Sequence, residues 1–490
     1  MPVNSTHPDY DEALPSWVMC NDFVAGTRAV KNKGEIYLPR PNQQDDSLLA
    51  KKRYDNYLKR AVFYEYSSKV VNQYLGLAFK LDPILDIDER LEALVYDADG
   101  QGTSLYHQAQ KALEALLVNG RCGILVDYPS LTGGNNSQAD DARLNANPKL
   151  IFYPASSIIN WQDDMIVLHE LVRQRQAGDP FVQGIVDQWR VLGLDEHGYY
   201  SEVWQQDDTG EFFVVPNSFS RPLDHNGKHW ERIPFQIFGS QFNTFEKQKI
   251  PIEPLVHIEH GIYCNSADAE NSRFSADAEN SRFMCGQIQP FLNMDAQTMD
   301  MYRNQETGEV RPFKLGSEIV LMLGEHGSFG FAQASPNTMA TDGIVEKRGI
   351  ISELGFQLGQ ASGAIKTATQ AENETSAQHS QASLCVANIN EGFLSLLNWC
   401  NRYTGAKHPP KFVIRQQFSQ HVIDIGLLTQ LSGLIDAGKL PKSVLYDKAK
   451  EFNLISGELS NDEIDGLIEQ PSMTYEAFNQ FRKAQGSSVK

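Results

Sequence analysis

Residues 251–283 read PIEPLVHIEHGIYCNSADAENSRFSADAENSRF and govern how the second half of the chain is interpreted. Pro251 and Pro254 precede apolar residues at helical spacing, a pattern that predicts the start of a long helix. The nine residues 266–274 are then repeated without change at 275–283. Nine residues turn an α-helix by about two and a half turns and lengthen it by about 13.5 Å. The duplicate therefore either extends the helix and inverts its later face or loops out, and we favour the longer helix.

The residues after the repeat predict a helical hairpin that carries an insert. A second helix is predicted over residues 339–358, because apolar residues share one of its faces. A compact insert of short mixed elements, residues 285–338, lies between the two helices. Residues 359–374 are small and polar, and a further long helix follows at 375–410. Such a hairpin would project from a monomer with little to bury its apolar side, so we expect copies to pack side by side in a ring.

The first half of the chain has the pattern of an α+β lobe. Residues 1–43 are rich in Pro, Asn and Gly, which predicts an extended arm that is ordered only where something holds it. Residues 44–250 combine one long helical pattern over 45–77 with several short strands separated by glycine turns. The end of the chain, residues 411–490, is expected to be mostly helical and acidic.

One helix of this lobe has clear boundaries in the sequence. Asp97–Gly102 imitates the opening of a calcium loop, but Gln108 stands where that loop needs a bidentate Glu, so a turn is favoured. Thr103 or Ser104 is the expected N-cap of the helix that follows. Gly120 marks its expected C-terminus, and a buried strand comes directly afterwards.

Length, charge and composition exclude several classes of protein. The chain has 490 residues with a hydrophobic fraction of 41%, enough to bury a core. Its formal net charge of -19 excludes binding to nucleic acid or membranes by bulk positive charge. The six cysteines include no CxxC pair, and no apolar run approaches the length of a membrane span. We expect a soluble protein of a reducing compartment, the cytoplasm.

The sequence contains none of the common catalytic motifs. It has no GxxxxGK[ST], no GxSxG and no GxGxxG. His257 and His260 are the one histidine pair at metal-ligand spacing on a predicted helix, with Glu253 and Glu259 beside them. A helix surface or subunit contact is the favoured explanation, and a metal-dependent enzyme that uses this pair is kept as an alternative. We expect no catalytic residue, no metal and no cofactor, and a structural protein rather than an enzyme.

A ring built from acidic chains would have a negatively charged lumen. DNA repelled from such a wall would slide rather than stick, which suits a conduit better than a tight DNA binder. The basic residues 51–53, together with Lys59 and Arg60, are interpreted as a solvated helix face rather than as a phosphate site.

Short motifs distributed along most of the chain resemble those of bacteriophage portal proteins, in the branch known as a phage domain of unknown function. Each motif is short, and their order along the chain carries the resemblance. The motifs are Met1-Pro-Val-Asn4 with His7-Pro8, Asp99-Gly-Gln-Gly-Thr-Ser104, Gly120-Arg-Cys-Gly-Ile-Leu-Val-Asp-Tyr-Pro129, Ile158-Ile-Asn-Trp161, Arg232-Ile-Pro-Phe235, Tyr263-Cys-Asn-Ser-Ala-Asp268, Leu358-Gly359, Thr367-Ala-Thr-Gln-Ala371 and Tyr403-Thr-Gly405.

The resemblance implies a portal-type fold and assigns a part to each region. The parts are an N-terminal arm (1–43), an α/β wing (44–250), a first stem helix (251–284), a small α/β clip (285–338), a second stem helix (339–358), a tunnel loop (359–374), a long wing helix (375–410) and acidic helices with a tail on the wing or crown side (411–490). The doubled nonapeptide departs from the family and leaves the register of the stem open.

The resemblance also implies a function and its partners. A portal is a homo-dodecameric ring at one capsid vertex of the virion, assembled in the host cytoplasm. It passes double-stranded DNA during packaging, retention and ejection, and it docks the terminase large subunit, the capsid protein and a neck or tail adaptor. The alternative is a virion structural protein without a channel. The DNA-channel residues implied for the tunnel loop are Lys366, Thr367, Thr369, Gln370 and Asn373, and the partner-binding residues implied for the clip are Asp295, Asp300, Arg303, Arg311 and Phe313.

Overall fold

The computed structural model describes residues 2–128, 147–175, 183–274, 288–294, 296–301, 303, 327–333, 339–353, 368–415, 425–451 and 461–469. The chain divides into two units, Met1–Phe418 and Ser419–Lys490. The first unit combines helices with antiparallel sheets, so the predicted α+β class is confirmed. Of the helices described, none is both long and apolar enough to span a bilayer.

Helices make up much of both units. Those of the first unit are α1 (Pro8–Ala25), α2 (Thr27–Asn32), α3 (Leu48–Arg60), α4 (Tyr66–Ala78), α5 (Glu92–Tyr96), α6 (Leu105–Asn119), α7 (Glu253–Phe274), α8 (Ala296–Met301), α9 (Met339–Glu353) and α10 (Ala368–Thr404). Those of the second unit are α11 (Ile425–Asp436), α12 (Lys442–Glu451) and α13 (Asn461–Glu469).

The strands pair in antiparallel sheets. They are β1 (Ile84–Asp86), β2 (Arg121–Asp127), β3 (Lys149–Pro154), β4 (Ile158–Gln162), β5 (Met165–Arg175), β6 (Gln183–Asp195), β7 (Gly198–Gln206), β8 (Phe212–Val214), β9 (Phe235–Gly239), β10 (Ile288–Asn293), β11 (Ser328–Gln333) and β12 (Lys411–Val413). A five-stranded meander has the order β4-β5-β6-β7-β8, and a three-stranded sheet has the order β3-β2-β9. The pairs β1-β12 and β10-β11 complete the described sheets.

Helix α6 and strand β2 form the centre of the lobe and agree with the sequence prediction. The Ser104 hydroxyl accepts a hydrogen bond from the backbone N–H of His107 and caps the helix. Gly120 ends it with a φ of 74°, a conformation that glycine adopts without strain. Leu116 and Ile124 are fully buried, because α6 packs on the sheet that contains β2.

An extended conformation of the N-terminal arm is wrong for residues 8–25, which form α1. Pro8 lies in the first turn, where the missing N–H of proline costs nothing, and the His7 ring accepts a hydrogen bond from the backbone N–H of Asp9. Trp17 and Phe23 are buried in the main core. The prolines that suggested an extended arm are therefore compatible with a packed helix.

The single helix predicted over residues 45–77 is also wrong, because α3 and α4 are separate. The chain breaks between them at Glu65, whose φ of 54° lies in the left-handed region. The Glu65 carboxylate accepts hydrogen bonds from the backbone N–H of Thr27 at 2.9 Å and from its hydroxyl at 2.6 Å. This tertiary contact caps α2 and holds the break, and helical spacing in the sequence does not reveal it.

The region predicted as stem, clip and tunnel loop is described in part. Helices α7 and α9 lie within the two predicted stem helices, and the second nonapeptide copy, 275–283, lies outside the described residues. The insert contains α8 and the β10-β11 pair, in which Ile288 is opposite Gln333. Helix α10 begins at Ala368 rather than at residue 375, because the sequence there is rich in Ala, Gln and Glu, which favour helix.

Candidate functional site

Helices α7 and α9 form a closely packed antiparallel pair at the surface of the lobe. A Cβ atom added at Gly261 of α7 would lie 2.7 Å from Cε of Lys347, and one added at Gly343 of α9 would lie 2.5 Å from Nδ2 of Asn265. One turn forward on α7 thus corresponds to one turn backward on α9. The Lys347 and Asn265 side chains thus lie over the two glycines, one on each helix, and fill the space that the glycines leave.

The helix pair is packed on the lobe through a small apolar cluster. The cluster joins residues of α7, α9 and α4, and its buried members are Tyr66, Val70, Leu255, Ile262, Ile344 and Ile351. On another side of α7, Val256 and Tyr263 enter the main core. The expectation that both predicted stem helices leave their apolar side uncovered in a monomer is therefore wrong for α7. The apolar residues of α7 contact α4, α9 and the main core. Helical spacing in the sequence does not distinguish these three contacts.

A buried carboxylate of α7 caps the N-terminus of α4. Glu259 is 1% exposed and accepts hydrogen bonds from the backbone N–H of Tyr66 at 2.6 Å and of Ser67 at 2.9 Å. The Ser67 hydroxyl donates to the same carboxylate at 2.5 Å. Glu65, the N-cap residue itself, gives α4 no side-chain cap, because its carboxylate is used by α2. Glu259 therefore supplies from another helix the acceptor that a helix N-terminus needs.

The electrostatic balance at Glu259 rests on hydrogen bonds. Burial raises the pKa of its carboxyl above the ordinary value, and the charge of Glu65 acts in the same direction. The three donors from Tyr66 and Ser67 act in the opposite direction and lower it. Within the described residues, no cation lies at ion-pair distance from this carboxylate. The hydrogen bonds from the N-terminus of α4 are thus the compensation for a charge held out of water.

Helix α9 is connected to the same junction through Arg348. Its Nε donates to the Tyr66 hydroxyl at 2.7 Å, and its guanidinium lies 5.4 Å from the ring centre of Tyr64 and 5.8 Å from that of Tyr66. The two tyrosine rings are stacked on each other with centroids 5.7 Å apart. Residues 64–67 therefore receive a contact from α7 and a contact from α9, which fixes the helix pair relative to the lobe.

The outward face of α9 remains exposed in the single chain. Met339 is 80% exposed and Val345 is 67% exposed, and the acidic residues Asp342 and Glu346 lie on the same exposed side. By contrast, Lys347 and Arg348 turn towards α7 and the Tyr66 junction. The pair thus has an inner side held by the lobe and an outer side that is apolar and acidic.

The structure places only some of the partner and DNA residues implied by the resemblance. A carboxylate oxygen of Asp300 lies 3.3 Å from Nε of Arg303, and both side chains are exposed. Thr369, Gln370 and Asn373 lie in the first turns of α10 instead of in a loop. The positions outside the described residues are Asp295, Arg311, Phe313, Lys366 and Thr367.

The histidine pair of α7 is not brought together as a metal site. The His260 ring nitrogen Nε2 lies 2.8 Å from the backbone carbonyl of Tyr37, whereas the His257 side chain is 62% exposed and lies 4.0 Å from Glu253. In the described part of the chain, no group of three or more His, Cys, Asp or Glu residues is placed to hold a metal ion.

Sequence reasoning missed the junction residues Glu259 and Arg348. A signal for Glu259 was present, because it follows Leu255 by four residues and precedes Ile262 by three, and so shares their buried face. A charge within such an apolar stripe indicates a buried partner. Arg348 carried no comparable signal, since its partner Tyr66 is distant in the sequence.

A comparison with protein families matches the part of the chain that contains α7, α9 and α10. Residues 251–404 match a family described as "Domain of unknown function (DUF4055)", and this match covers less than half of the chain. No curated protein matches the sequence.

A comparison with solved structures finds chains of gene transfer agent (GTA) particles. A chain of "Neck of native GTA particle computed with C12 symmetry" is 13% identical, with 83% of this chain and 90% of that chain covered and a TM-score of 0.37. A chain of "Neck of empty GTA particle computed with C6 symmetry" is 14% identical, with 88% and 99% covered and a TM-score of 0.37. A chain of "Virion of native gene transfer agent (GTA) particle" is 11% identical, with 91% and 99% covered and a TM-score of 0.34.

Proposed function

We propose that the chain is the portal of a phage-like particle, a homo-dodecameric ring at one capsid vertex through which double-stranded DNA passes. The outward face of α9 carries this proposal. Met339 and Val345 are exposed on a helix whose other side is fixed by Ile351 and Arg348. A contact with a neighbouring copy would take the apolar surface of these side chains out of water.

The arrangement of the second half supports a ring in particular. The antiparallel pair of α7 and α9 brackets an insert, and α10 follows, which is the order of stem, clip and long helix in the portal family that the sequence resembles. The lobe and α9 cover the apolar residues of α7. What is left for a neighbouring copy to cover is the outer side of α9 rather than the whole hairpin.

The same proposal assigns roles to the insert, the wing and the channel. The exposed pair of Asp300 and Arg303 belongs to the insert that would meet the terminase large subunit or the neck or tail adaptor, while the wing would meet the capsid protein. The net charge of -19 would make the channel repel DNA, which could then slide without sticking. The proposed role is structural, within the virion, and the force for DNA movement would come from the motor. The proposed DNA-facing residues remain Lys366, Thr367, Thr369, Gln370 and Asn373, and the other proposed clip contacts are Asp295, Arg311 and Phe313.

Electron microscopy of the purified full-length chain tests the proposal. We expect closed rings with a central opening wide enough for a DNA duplex, and light scattering should give a mass many times that of the 55.0 kDa chain. Closed particles without an opening would favour a virion structural protein that has no channel. A monodisperse monomer at all protein and salt concentrations would reject both functions.

A further inference from the structure

A cavity of about 200 Å³ lies where α1, the turn between α6 and β2, and the segment 240–252 before α7 come together. Gly120 forms this turn with a φ of 74°, and its two neighbours, Asn119 and Arg121, both line the cavity. The backbone N–H of Ser240 donates to the Gly120 carbonyl at 2.8 Å and holds the segment against the turn. The cavity is therefore built from three parts of the chain that are distant in the sequence.

The inner end of the cavity contains a buried cation. Arg121 is 4% exposed, and burial lowers the pKa of its guanidinium to about 10, which leaves it charged at neutral pH. The guanidinium carbon lies 4.8 Å from the ring centre of Trp17 and 4.2 Å from that of Trp161, and Nη2 donates to the Ile158 carbonyl at 3.2 Å. Within the part of the chain that the structure describes, Nε has no hydrogen-bond partner. Because buried charges are normally paired, this donor indicates a site for an acceptor oxygen.

A second buried donor lines the same cavity on the other side of Gly120. Asn119 is 6% exposed, and among the described residues its Nδ2 also has no hydrogen-bond partner. A carboxylate has two oxygens, each of which accepts hydrogen bonds, and its bonds to charged donors are the strong ones. One charged donor and one neutral donor in a single cavity therefore match a carboxylate group.

The outer end of the cavity carries an excess of negative charge. Lys247, whose side chain is 55% exposed, contacts the carboxylate of Glu12. This hydrogen bond raises the pKa of Lys247, and the charges of Asp9 and Glu253 act in the same direction. One ammonium group thus faces three carboxylates that line the cavity. Asp9 and Glu253 each have a histidine near ion-pair distance, at 3.8 Å and 4.0 Å, and the outer end favours a further cationic group.

We propose that this cavity binds a small zwitterion of the α-amino acid class, with its carboxylate at Arg121 and Asn119 and its ammonium group towards Asp9 and Glu253. A phosphate ion would suit the inner end, but the outer carboxylates repel it. An amine would suit the outer end and leave both inner donors unpaired. A zwitterion satisfies both ends, and the volume of the cavity restricts it to a small one. This inference does not depend on the proposed ring.

Calorimetric titration of the dialysed full-length chain tests the inference. The probes are glycine and L-alanine, with acetate, methylammonium and inorganic phosphate as molecules that match one end only. We expect saturable binding of both amino acids and an affinity about tenfold or more lower for each of the other three. Failure of both amino acids to bind would overturn the inference, as would acetate or phosphate that binds as tightly as alanine.

Two variants test the two ends of the cavity separately. Asn119→Asp places a carboxylate of the same size in the cavity with Arg121, so it should weaken alanine binding about tenfold or more by repelling the carboxylate of the ligand. Glu253→Gln removes one outer carboxylate and should weaken alanine binding without weakening acetate binding. Asn56→Asp on the exposed side of α3 and Glu92→Gln in the first turn of α5 are the matched controls, and both should bind alanine as the wild-type chain does.

Melting temperature and circular dichroism report whether each variant is folded. Alanine should raise the melting temperature of the wild-type chain and of both controls but not that of Asn119→Asp. A folded Asn119→Asp chain that binds alanine normally would overturn the placement of the carboxylate, and equal losses of alanine and acetate binding in Glu253→Gln would overturn that of the ammonium group. If Asn119→Asp does not fold, Glu253→Gln and the five probes still decide the matter. All these failures leave the proposed portal intact, whereas a chain that binds alanine but forms no ring would reject the portal alone.

Discussion

Glu259 and Ser67, which are distant in the sequence, are joined by two hydrogen bonds to one buried carboxylate. The Ser67 backbone N–H donates at 2.9 Å and its hydroxyl at 2.5 Å, and Glu259 is 1% exposed. Through this contact α7 provides the N-terminal cap that α4 lacks. The orientation of the helix pair that carries the insert therefore depends on one acidic side chain within an otherwise apolar contact.

Replacing Glu259 with glutamine should destabilise the folded chain. The amide keeps the size of the side chain but has one acceptor oxygen, so at least one of the N–H and O–H donors at Tyr66 and Ser67 loses its partner in a dry site. Leaving a buried donor unpaired costs about 1–3 kcal/mol. Urea unfolding followed by circular dichroism at neutral pH measures this cost.

Glu114→Gln is the matched control for this substitution. Glu114 is exposed on α6, and its replacement should change the free energy of unfolding by less than about 0.5 kcal/mol. If Glu259→Gln has as small an effect as Glu114→Gln, the carboxylate is not an important cap of α4.

The stability cost of Glu259→Gln should depend on pH. Burial raises the pKa of Glu259 above the ordinary value of 4.5 at which the unfolded chain titrates. Between these two pKa values the folded state binds more protons than the unfolded state, so wild-type stability falls as pH rises through this window. The glutamine variant lacks this dependence. The difference between the two proteins should therefore be largest below pH 4.5 and should shrink as pH rises through the folded pKa, and unfolding series at several pH values measure it. A difference that grows with pH would contradict the direction assigned to this pKa.

Arg348 and Tyr66 should be energetically coupled. Tyr66→Phe removes the hydroxyl that accepts from Nε at 2.7 Å, and Arg348→Met removes the donor and its charge over the Tyr64 and Tyr66 rings. A hydrogen bond of this type contributes about 0.5–1.5 kcal/mol. The double-mutant cycle measured by urea unfolding should return a coupling energy in this range, and strictly additive single effects would show that the contact has no energetic role.

The parts of the fold that the sequence predicted are those in which local pattern and burial agree. Ser104 and Gly120 delimit α6 because capping chemistry acts within one turn, and the strand after Gly120 is buried as its composition indicates. The break at Glu65 and the packed α1 were missed because both depend on contacts far along the chain, Glu65 with Thr27 and Trp17 with Arg121. The apolar residues keep their helical spacing across the break at Glu65, so the sequence gives no sign that the helix ends there.

The order of the two helices and the insert along the chain could be predicted from the sequence. The sides of these helices that are exposed could not. The two helices and the insert follow from apolar spacing, but which side of each helix the lobe covers depends on α4, an element about two hundred residues earlier in the chain. The hairpin was therefore expected to be bare on its apolar side, whereas Ile262 and Ile351 are completely buried. Of the described residues of α7 and α9, the large apolar side chains that stay exposed are on α9, Val345 among them.

Two helical glycines should respond in opposite directions to alanine. A Cβ atom at Gly392 of α10 would lie 2.2 Å from Cε1 of Phe238, a fully buried ring of β9 that cannot move without disturbing the core. Gly392→Ala should therefore cost about 1–3 kcal/mol. At Gly349 of α9 an added Cβ atom meets nothing within 4 Å, and Gly349→Ala should stabilise the chain by about 0.5–1 kcal/mol through helix propensity alone. Urea unfolding of both variants measures the two effects with the same substitution. A stabilising Gly392→Ala would mean that α10 is not held against β9, while a clear loss of stability in Gly349→Ala would mean that the outer face of α9 is already covered within a single chain.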